Sequence, residues 1–303
     1  DRRSDVCASD LKLQDTPDAV LLVMPCDHAI DDVDAFRAAV MEGEKAAANG
    51  ALVTFVIKAD RPETGYGYLE METTIESFES AAHPLKAFVE KPNAERAEEF
   101  VKSRRYLWNA GIFMFRVAEI LAAYEILAPR LMLPVRRAVA GGRTDLCFFR
   151  LDETPYKMVE DISIDYAVME ACETLSVIPL DCGWSDLGSW SSVWEAGTPD
   201  ENGVVQSGDT TAIDCENTLL RSDDEGVELV GLGLKNVTAI AMGDAVLVAD
   251  MSQSENVKLA VTKLKAKKAK QAETFPRDHR PWGHFATLSL REPLGGAPCR
   301  ARV

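Results

Sequence analysis

The 303-residue sequence has no apolar run approaching the roughly 20 residues that cross a bilayer. Its start, Asp1-Arg2-Arg3-Ser4-Asp5, also lacks the apolar segment of a secretory leader. Positive charge is in short supply, with 33 Lys and Arg against 49 Asp and Glu and a formal net charge of -16. That balance excludes nucleic acid and anionic membranes as expected partners, because neither would be attracted. An anionic substrate would need Lys, Arg or a metal gathered locally. None of the seven cysteines, Cys7, Cys26, Cys147, Cys172, Cys182, Cys215 and Cys299, forms a CxxC pair. Reduced thiols in a cytoplasmic protein are expected rather than a disulfide frame. Histidine is confined to His28, His83, His279 and His284, too few to support a zinc centre, and His28 reads as a structural neighbour of Asp27. No Ser-His-Asp or Cys-His nucleophile arrangement can be assembled.

What the chain does have is an alternation of short apolar strands and helical patterns. Residues 19–24 form an apolar run bounded by Pro17-Asp18 and Pro25, expected as a strand buried on both faces of a parallel sheet. Asp27 would follow its carboxyl end, where open α/β sheets bind ligands, although a helix-capping role suits an Asp there equally well. Asp31 or Asp32 can cap a helix carrying Val33, Phe36 and Val40 and ending near Gly50, with a strand over 52–57 after it. That order is a βαβ unit. Residues 61–68, Arg-Pro-Glu-Thr-Gly-Tyr-Gly-Tyr, predict a loop. A short strand at 87–89 ends in Glu90-Lys91-Pro92, Asn93 caps a helix over 94–103, and 106–111 lead into a strand over 112–115. Helical patterns cover 118–127, part of 130–139 and 164–171, before a strand over 175–180.

The expected architecture is α/β: a doubly wound, mostly parallel, Rossmann-like sheet followed by a smaller β-rich domain. Residues 1–10 are expected as a non-native leader, 11–199 as the α/β domain, and 200–265 as a β-helix-like domain of short strands parted by Gly, Asp and Asn. Residues 266–303 are expected as a helical linker and the start of a further region, and the lysines of the basic stretch over 257–271 as a solvated face.

Asp27 and Asp186 each follow an expected core strand, so one parallel sheet would turn both carboxylates into one crevice. Hard oxygen ligands of that kind suit magnesium, which prefers one or two carboxylates plus substrate phosphates. Asp186 could instead order the turn before Gly188. Lys91, held extended by Pro92, can meet an anion while Glu90 accepts hydroxyl hydrogens, a combination suited to a sugar phosphate, although a surface pair needs no function. Asn109 can offer its amide to hydroxyls or serve a turn. Around Tyr66, Gly65 and Gly67 can bring backbone N–H groups close to a ligand.

Six segments in order resemble those of bacterial mannose-1-phosphate guanylyltransferases. They are Pro25-Cys26-Asp27-His28, the 61–68 loop, Phe88-Val89-Glu90-Lys91-Pro92, Trp108-Asn109-Ala110-Gly111, Ser163-Ile164-Asp165-Tyr166 and Gly183-Trp184-Ser185-Asp186-Leu187-Gly188-Ser189-Trp190. The resemblance runs from about residue 11 to about 264. It implies a nucleotide-diphospho-sugar transferase fold with a β-helix-like appendage, and a reaction joining mannose 1-phosphate to GTP to give GDP-mannose and pyrophosphate. By the same analogy Asp27 and Asp186 hold Mg2+, Lys91 holds the sugar phosphate, and Glu90, Asn109 and the Gly65-Tyr66-Gly67 backbone hold the sugar. Homo-oligomer formation through the β-rich region is compatible with it.

The resemblance has gaps. The Gly-rich phosphate loop with which such enzymes begin has no counterpart before Ala19. Arg280-Pro281-Trp282-Gly283 resembles the entrance of an isomerase domain that the sequence does not continue. The expectation is therefore a fragment with weak or no activity. A transferase for another sugar 1-phosphate or nucleotide, and a non-catalytic nucleotide-sugar binder, stand beside it as alternatives.

Overall fold

The computed structural model describes residues 5–71, 82–146, 148–172, 175–224, 226–272, 277–280, 283–287 and 300–302. Residues 1–4 of the expected leader, Cys147, Cys299, Pro281 and Trp282 lie outside the described residues. The chain divides into two units, Asp1–Asp186 and Leu187–Val303.

The first unit opens with α1 (Asp5–Lys12) and β1 (Val20–Val23), followed by the two-residue β2 (Ala29–Ile30), α2 (Val33–Ala48), β3 (Leu52–Lys58), β4 (Gly67–Met71) and β5 (His83–Glu90). Then come α3 (Ala94–Ser103), β6 (Tyr106–Arg116), α4 (Val117–Leu127), α5 (Pro129–Ala140) and a small hairpin of β7 (Arg143–Asp145) and β8 (Phe148–Arg150). The one-turn helices α6 (Glu153–Tyr156) and α7 (Ile164–Ala167) precede β9 (Leu175–Leu180) and β10 (Trp184–Ser185).

Six strands make one sheet in the order β1-β6-β3-β9-β5-β4. β3 and β9 are parallel neighbours, but β6 runs antiparallel to both β1 and β3, and β5 antiparallel to β9 and β4. The expectation of a mostly parallel ladder is corrected accordingly: β1, β3, β9 and β4 share a direction, and β6 and β5 are inserted against it. β1 is also an edge strand rather than one buried on both faces, and Leu22 is 37% exposed. Periodicity carries no strand direction, so a short apolar run at an edge is indistinguishable from a central one.

Helices cover both faces, as doubly wound folds require. One face packs Leu21, Val23, Phe113 and Phe115 under α1, α4 and α5, and the other packs Val53, Phe55, Ile112 and Met114 under α2. Residues 5–10 of the expected leader belong to α1. Cys7, Ala8 and Leu11 of α1 are buried in the first cluster, and their spacing is that of one helix face. Asp32 caps α2, accepting from the N–H groups of Asp34 and Ala35 at 3.1 and 2.9 Å, and Asn93 caps α3. With Asp32 as the cap, Asp27 is not needed for one.

In the second unit α8 (Trp190–Glu195) leads into β11 (Val205–Ser207), β12 (Thr210–Ile213), β13 (Leu219–Ser222), β14 (Leu229–Leu232), β15 (Val237–Ala241) and β16 (Val246–Asp250). β11, β13 and β15 stack in parallel, as do β12 and β14, which is the β-helix-like build expected from the sequence. β16 closes the first stack antiparallel, over a core of Val205, Leu219 and Ile240 packed by Trp190 and Trp194. The described side chains of α9 (Val257–Ala266) are exposed or half-buried, its lysines included. Three further strands, β17 (Arg277–Arg280), β18 (Gly283–Thr287) and β19 (Arg300–Arg302), form an antiparallel sheet. Among the described residues no helix is long and apolar enough to cross a membrane, and Cys7, Cys26, Cys172, Cys182 and Cys215 are unbridged.

Candidate functional site

The two expected metal carboxylates are brought together by a two-stranded ladder rather than by neighbouring parallel strands. Chain leaving β1 through Pro25 and Cys26 reaches Asp27, and β2 then pairs antiparallel with β10, Ala29 opposite Ser185 and Ile30 opposite Trp184. Asp27 and His28, just before β2, thereby come to the same end of the ladder as Asp186, just after β10. The Asp31 and Asp32 N–H groups donate to the Cys182 carbonyl at 3.1 and 3.0 Å and pin the approach. Burial lowers the pKa of His28, and the charges of Asp27 and Asp186 oppose that shift, so both carboxylates act on this one imidazole. Asp27 is exposed and Asp186 half-buried.

Tyr66 joins this corner from the loop before β4. Its hydroxyl donates to Asp186 Oδ1 at 2.8 Å, and its ring meets Trp108 and Trp184 edge-on at 5.2 and 5.7 Å between centroids. Burial and the bond to Asp186 raise its pKa. The Trp184 indole N–H donates to His28 Nδ1 at 3.1 Å. The neighbouring Gly65 spends its N–H on Glu63 Oε1 at 3.0 Å, so the local turn rather than a ligand takes it. Arg61 lies over the Trp108 ring at 5.3 Å, the cation of this loop nearest the aromatic wall.

Glu90 and Lys91 form the adjoining corner. Lys91 sits in the left-handed region at φ 47, its N–H donates to the Tyr66 carbonyl at 3.2 Å, and its Nζ lies 3.3 Å from Glu90 Oε1. Glu90 is paired with Gly67 across β4 and β5. A Cβ at Gly67 would run into Glu90 Oε2 and lie 3.2 Å from Cζ of Phe88, so this glycine is needed for space and not for a turn. Burial raises the Glu90 pKa, and the nearby Asp165 raises it further against the pull of Lys91. Glu170 stands beside them, its carboxyl raised by burial while it accepts from the Glu90 N–H.

Asn109 is spent on the fold more than the sequence suggests. Its Oδ1 accepts from Thr54 Oγ1 at 3.0 Å and from the Gly111 N–H at 3.1 Å, and its Nδ2 donates to Asp165 Oδ1 at 2.8 Å. These bonds fix the bulge where β6 slips against β3, with Gly111 at φ 68. Asp165 is the residue sequence reasoning missed. It lies within the Ser163-Ile164-Asp165-Tyr166 segment, 9% exposed, and the small pair Ala110-Gly111 was the one signal of the bulge that reaches it.

Among the described residues no group of three His, Cys, Asp or Glu side chains could hold a metal on its own. Two carboxylates without His or Cys beside them as ligands suit a hard divalent cation that completes its coordination from phosphates and water better than zinc. The arrangement thus offers a cation corner, a lysine, and a buried acid group able to accept hydroxyl hydrogens.

Comparison with known proteins follows the same lines. Residues 5–203 match the family model described as nucleotidyl transferase. The chain is 38% identical over 274 residues to the xanthan biosynthesis protein XanB of Xanthomonas campestris pv. campestris strain B100, covering 90% of this chain and 57% of the relative. It is also 38% identical over 272 residues to a mannose-1-phosphate guanylyltransferase of Escherichia coli strain K12, covering 89% and 56%. The chain spans a little over half the length of these curated relatives. A solved structure titled as a mannose-1-phosphate geranyltransferase from Thermus thermophilus superposes with a TM-score of 0.71 at 28% identity, over 86% of this chain and 75% of that one. One titled mannose-6-phosphate isomerase from Helicobacter pylori gives 0.54 at 30% identity, over 60% and 69%.

Proposed function

Because this chain belongs to the nucleotidyl transferase family, we propose that it makes GDP-mannose and pyrophosphate from mannose 1-phosphate and GTP. The observation that carries the reading is the β2–β10 corner, where the charges of Asp27 and Asp186 both act on His28 and Tyr66 bonds both Asp186 and the Lys91 N–H. The names of the relatives support the choice of sugar and base. We place the enzyme in the cytoplasm, where its nucleotide substrate is made.

In this reading Lys91 holds the phosphate of the sugar phosphate as a point charge, beside Glu90 at 3.3 Å. Glu90 and Asp165 accept hydroxyl hydrogens of the sugar, and Asn109 keeps Asp165 in place. A phosphate oxygen of mannose 1-phosphate attacks the α-phosphorus of GTP in line, and pyrophosphate leaves from the opposite side. Asp27 and Asp186 are the ligands for a divalent cation, magnesium by the preference for hard oxygen donors. Bound there, it supplies positive charge against the triphosphate.

The test is pyrophosphate release from GTP with mannose 1-phosphate, set against other sugar 1-phosphates and nucleotides, for the wild type, Asp27→Asn and Asp186→Asn. Each variant should lose more than the roughly 10 to 100-fold that altering a mere partner of a metal ligand costs. Wild-type turnover in both variants would overturn the assignment of the carboxylates. Preference for another sugar phosphate would overturn the substrate.

A further inference from the structure

Trp184 touches both groups that attend the carboxylate pair. Its indole N–H lies 3.1 Å from His28 Nδ1, with the two rings edge-on at 5.3 Å and 84°. Its ring also packs edge-on against Tyr66, whose hydroxyl donates to Asp186. An indole N–H can only donate, so His28 Nδ1 must carry a lone pair. The proton of the neutral imidazole is then on Nε2, on the far edge of the ring from Trp184. A proton on Nδ1 would set two donors against each other at hydrogen-bond distance.

We propose that Trp184 is a positioning residue that fixes His28 as the Nε2–H tautomer beside Asp27 and Asp186, so that His28 presents a donor to an anionic oxygen brought to that pair. The role is separate from holding a cation, because a neutral imidazole with its proton on Nε2 gives a hydrogen rather than a lone pair. It differs from packing too, since a phenyl ring in place of the indole would keep the contact with Tyr66 and lose the N–H. The β2–β10 ladder serves it directly: Trp184 pairs with Ile30 and Ser185 with Ala29, which sets the register of the indole against His28.

The tautomer stands on geometry alone, while its use in turnover rests on the transferase reading, and two measurements keep these apart. In the 15N-labelled chain, a through-hydrogen-bond 15N–15N coupling between Trp184 Nε1 and His28 Nδ1 is expected, with the imidazole proton on Nε2. Trp184→Phe should abolish the coupling. A folded wild type without the coupling, or with the proton on Nδ1, would overturn the proposal whatever the chain catalyses. In turnover, Trp184→Phe should lower kcat by roughly 10-fold, in the range seen for partners that orient a functional group, with KM for the sugar phosphate within about twofold. His28→Gln retains an acceptor and a donor and should keep more activity than His28→Phe. Equal activity of these two variants, or wild-type kcat in Trp184→Phe, would overturn the donor role.

Discussion

Gly67 and Glu90 face each other across the β4–β5 ladder, and the volume a side chain would need at Gly67 is filled by the Glu90 carboxylate. Gly67→Ala therefore displaces that carboxylate and presses on Phe88. The expected result is a folded protein destabilised by about 1 to 3 kcal/mol, as for other overpacked sites, with weakened sugar-phosphate binding. Urea unfolding and titration with mannose 1-phosphate read the two effects, and unchanged affinity would remove Glu90 from the binding corner.

Asn109→Ala strands Asp165, a carboxylate 9% exposed that loses its amide donor, and leaves Thr54 Oγ1 only the Ile112 carbonyl at 3.5 Å. A buried group left without its partner costs about 1 to 3 kcal/mol, so the variant should unfold at clearly lower urea. Asn109→Asp should be worse than Asn109→Ala, since it sets a second carboxylate against Asp165.

Asp10 lies fully buried on α1, and neither of its carboxylate oxygens has a partner among the described residues. Burial raises its pKa from 3.8 to about 7. The unfolded chain gives up this proton near pH 4 and the folded chain keeps it until about pH 7. Stability from this group is complete below pH 4, falls as pH rises, and is lost above about 7. Asp10→Leu should therefore gain on the wild type between pH 5 and pH 8, by on the order of a few kcal/mol. Urea midpoints at the two pH values check it, and a constant difference would mean the carboxyl is not buried.

Tyr66→Phe keeps the ring contacts with Trp108 and Trp184 and removes only the donor to Asp186. Stability should change by about 1 kcal/mol or less, while turnover falls by roughly 10-fold. Comparing the variant's cation dependence with that of the wild type locates the loss at Asp186.

Local chemistry was legible in the sequence and long-range pairing was not. The caps Asp32 and Asn93, the break in composition before the stacked strands, and the ordered segments carrying Asp27, Glu90, Lys91 and Asp186 are all written over a few adjacent residues. The reversal of β6 between β1 and β3 is not, because an apolar run has the same pattern in either direction. The Asn109–Asp165 and His28–Trp184 bonds join residues far apart in the chain, so no window contains both partners. α1 escaped notice because Asp10 interrupts its apolar face, although Cys7, Ala8 and Leu11 keep the helical spacing.

The sheet order sets the sequence in which the protein can assemble during its synthesis. β3 has Leu52 against Leu175 of β9, so the first half of the chain leaves the ribosome without the strand that completes its sheet. Until Leu180 has emerged, β3 has one flank uncovered and must be kept from the wrong neighbours. The stacked strands of the second unit meet no such delay, since each pairs with the next coil, Val205 with Leu219 and Leu219 with Thr238. Translation speed across residues 58–175 therefore bears on the yield of the first unit and scarcely on the second.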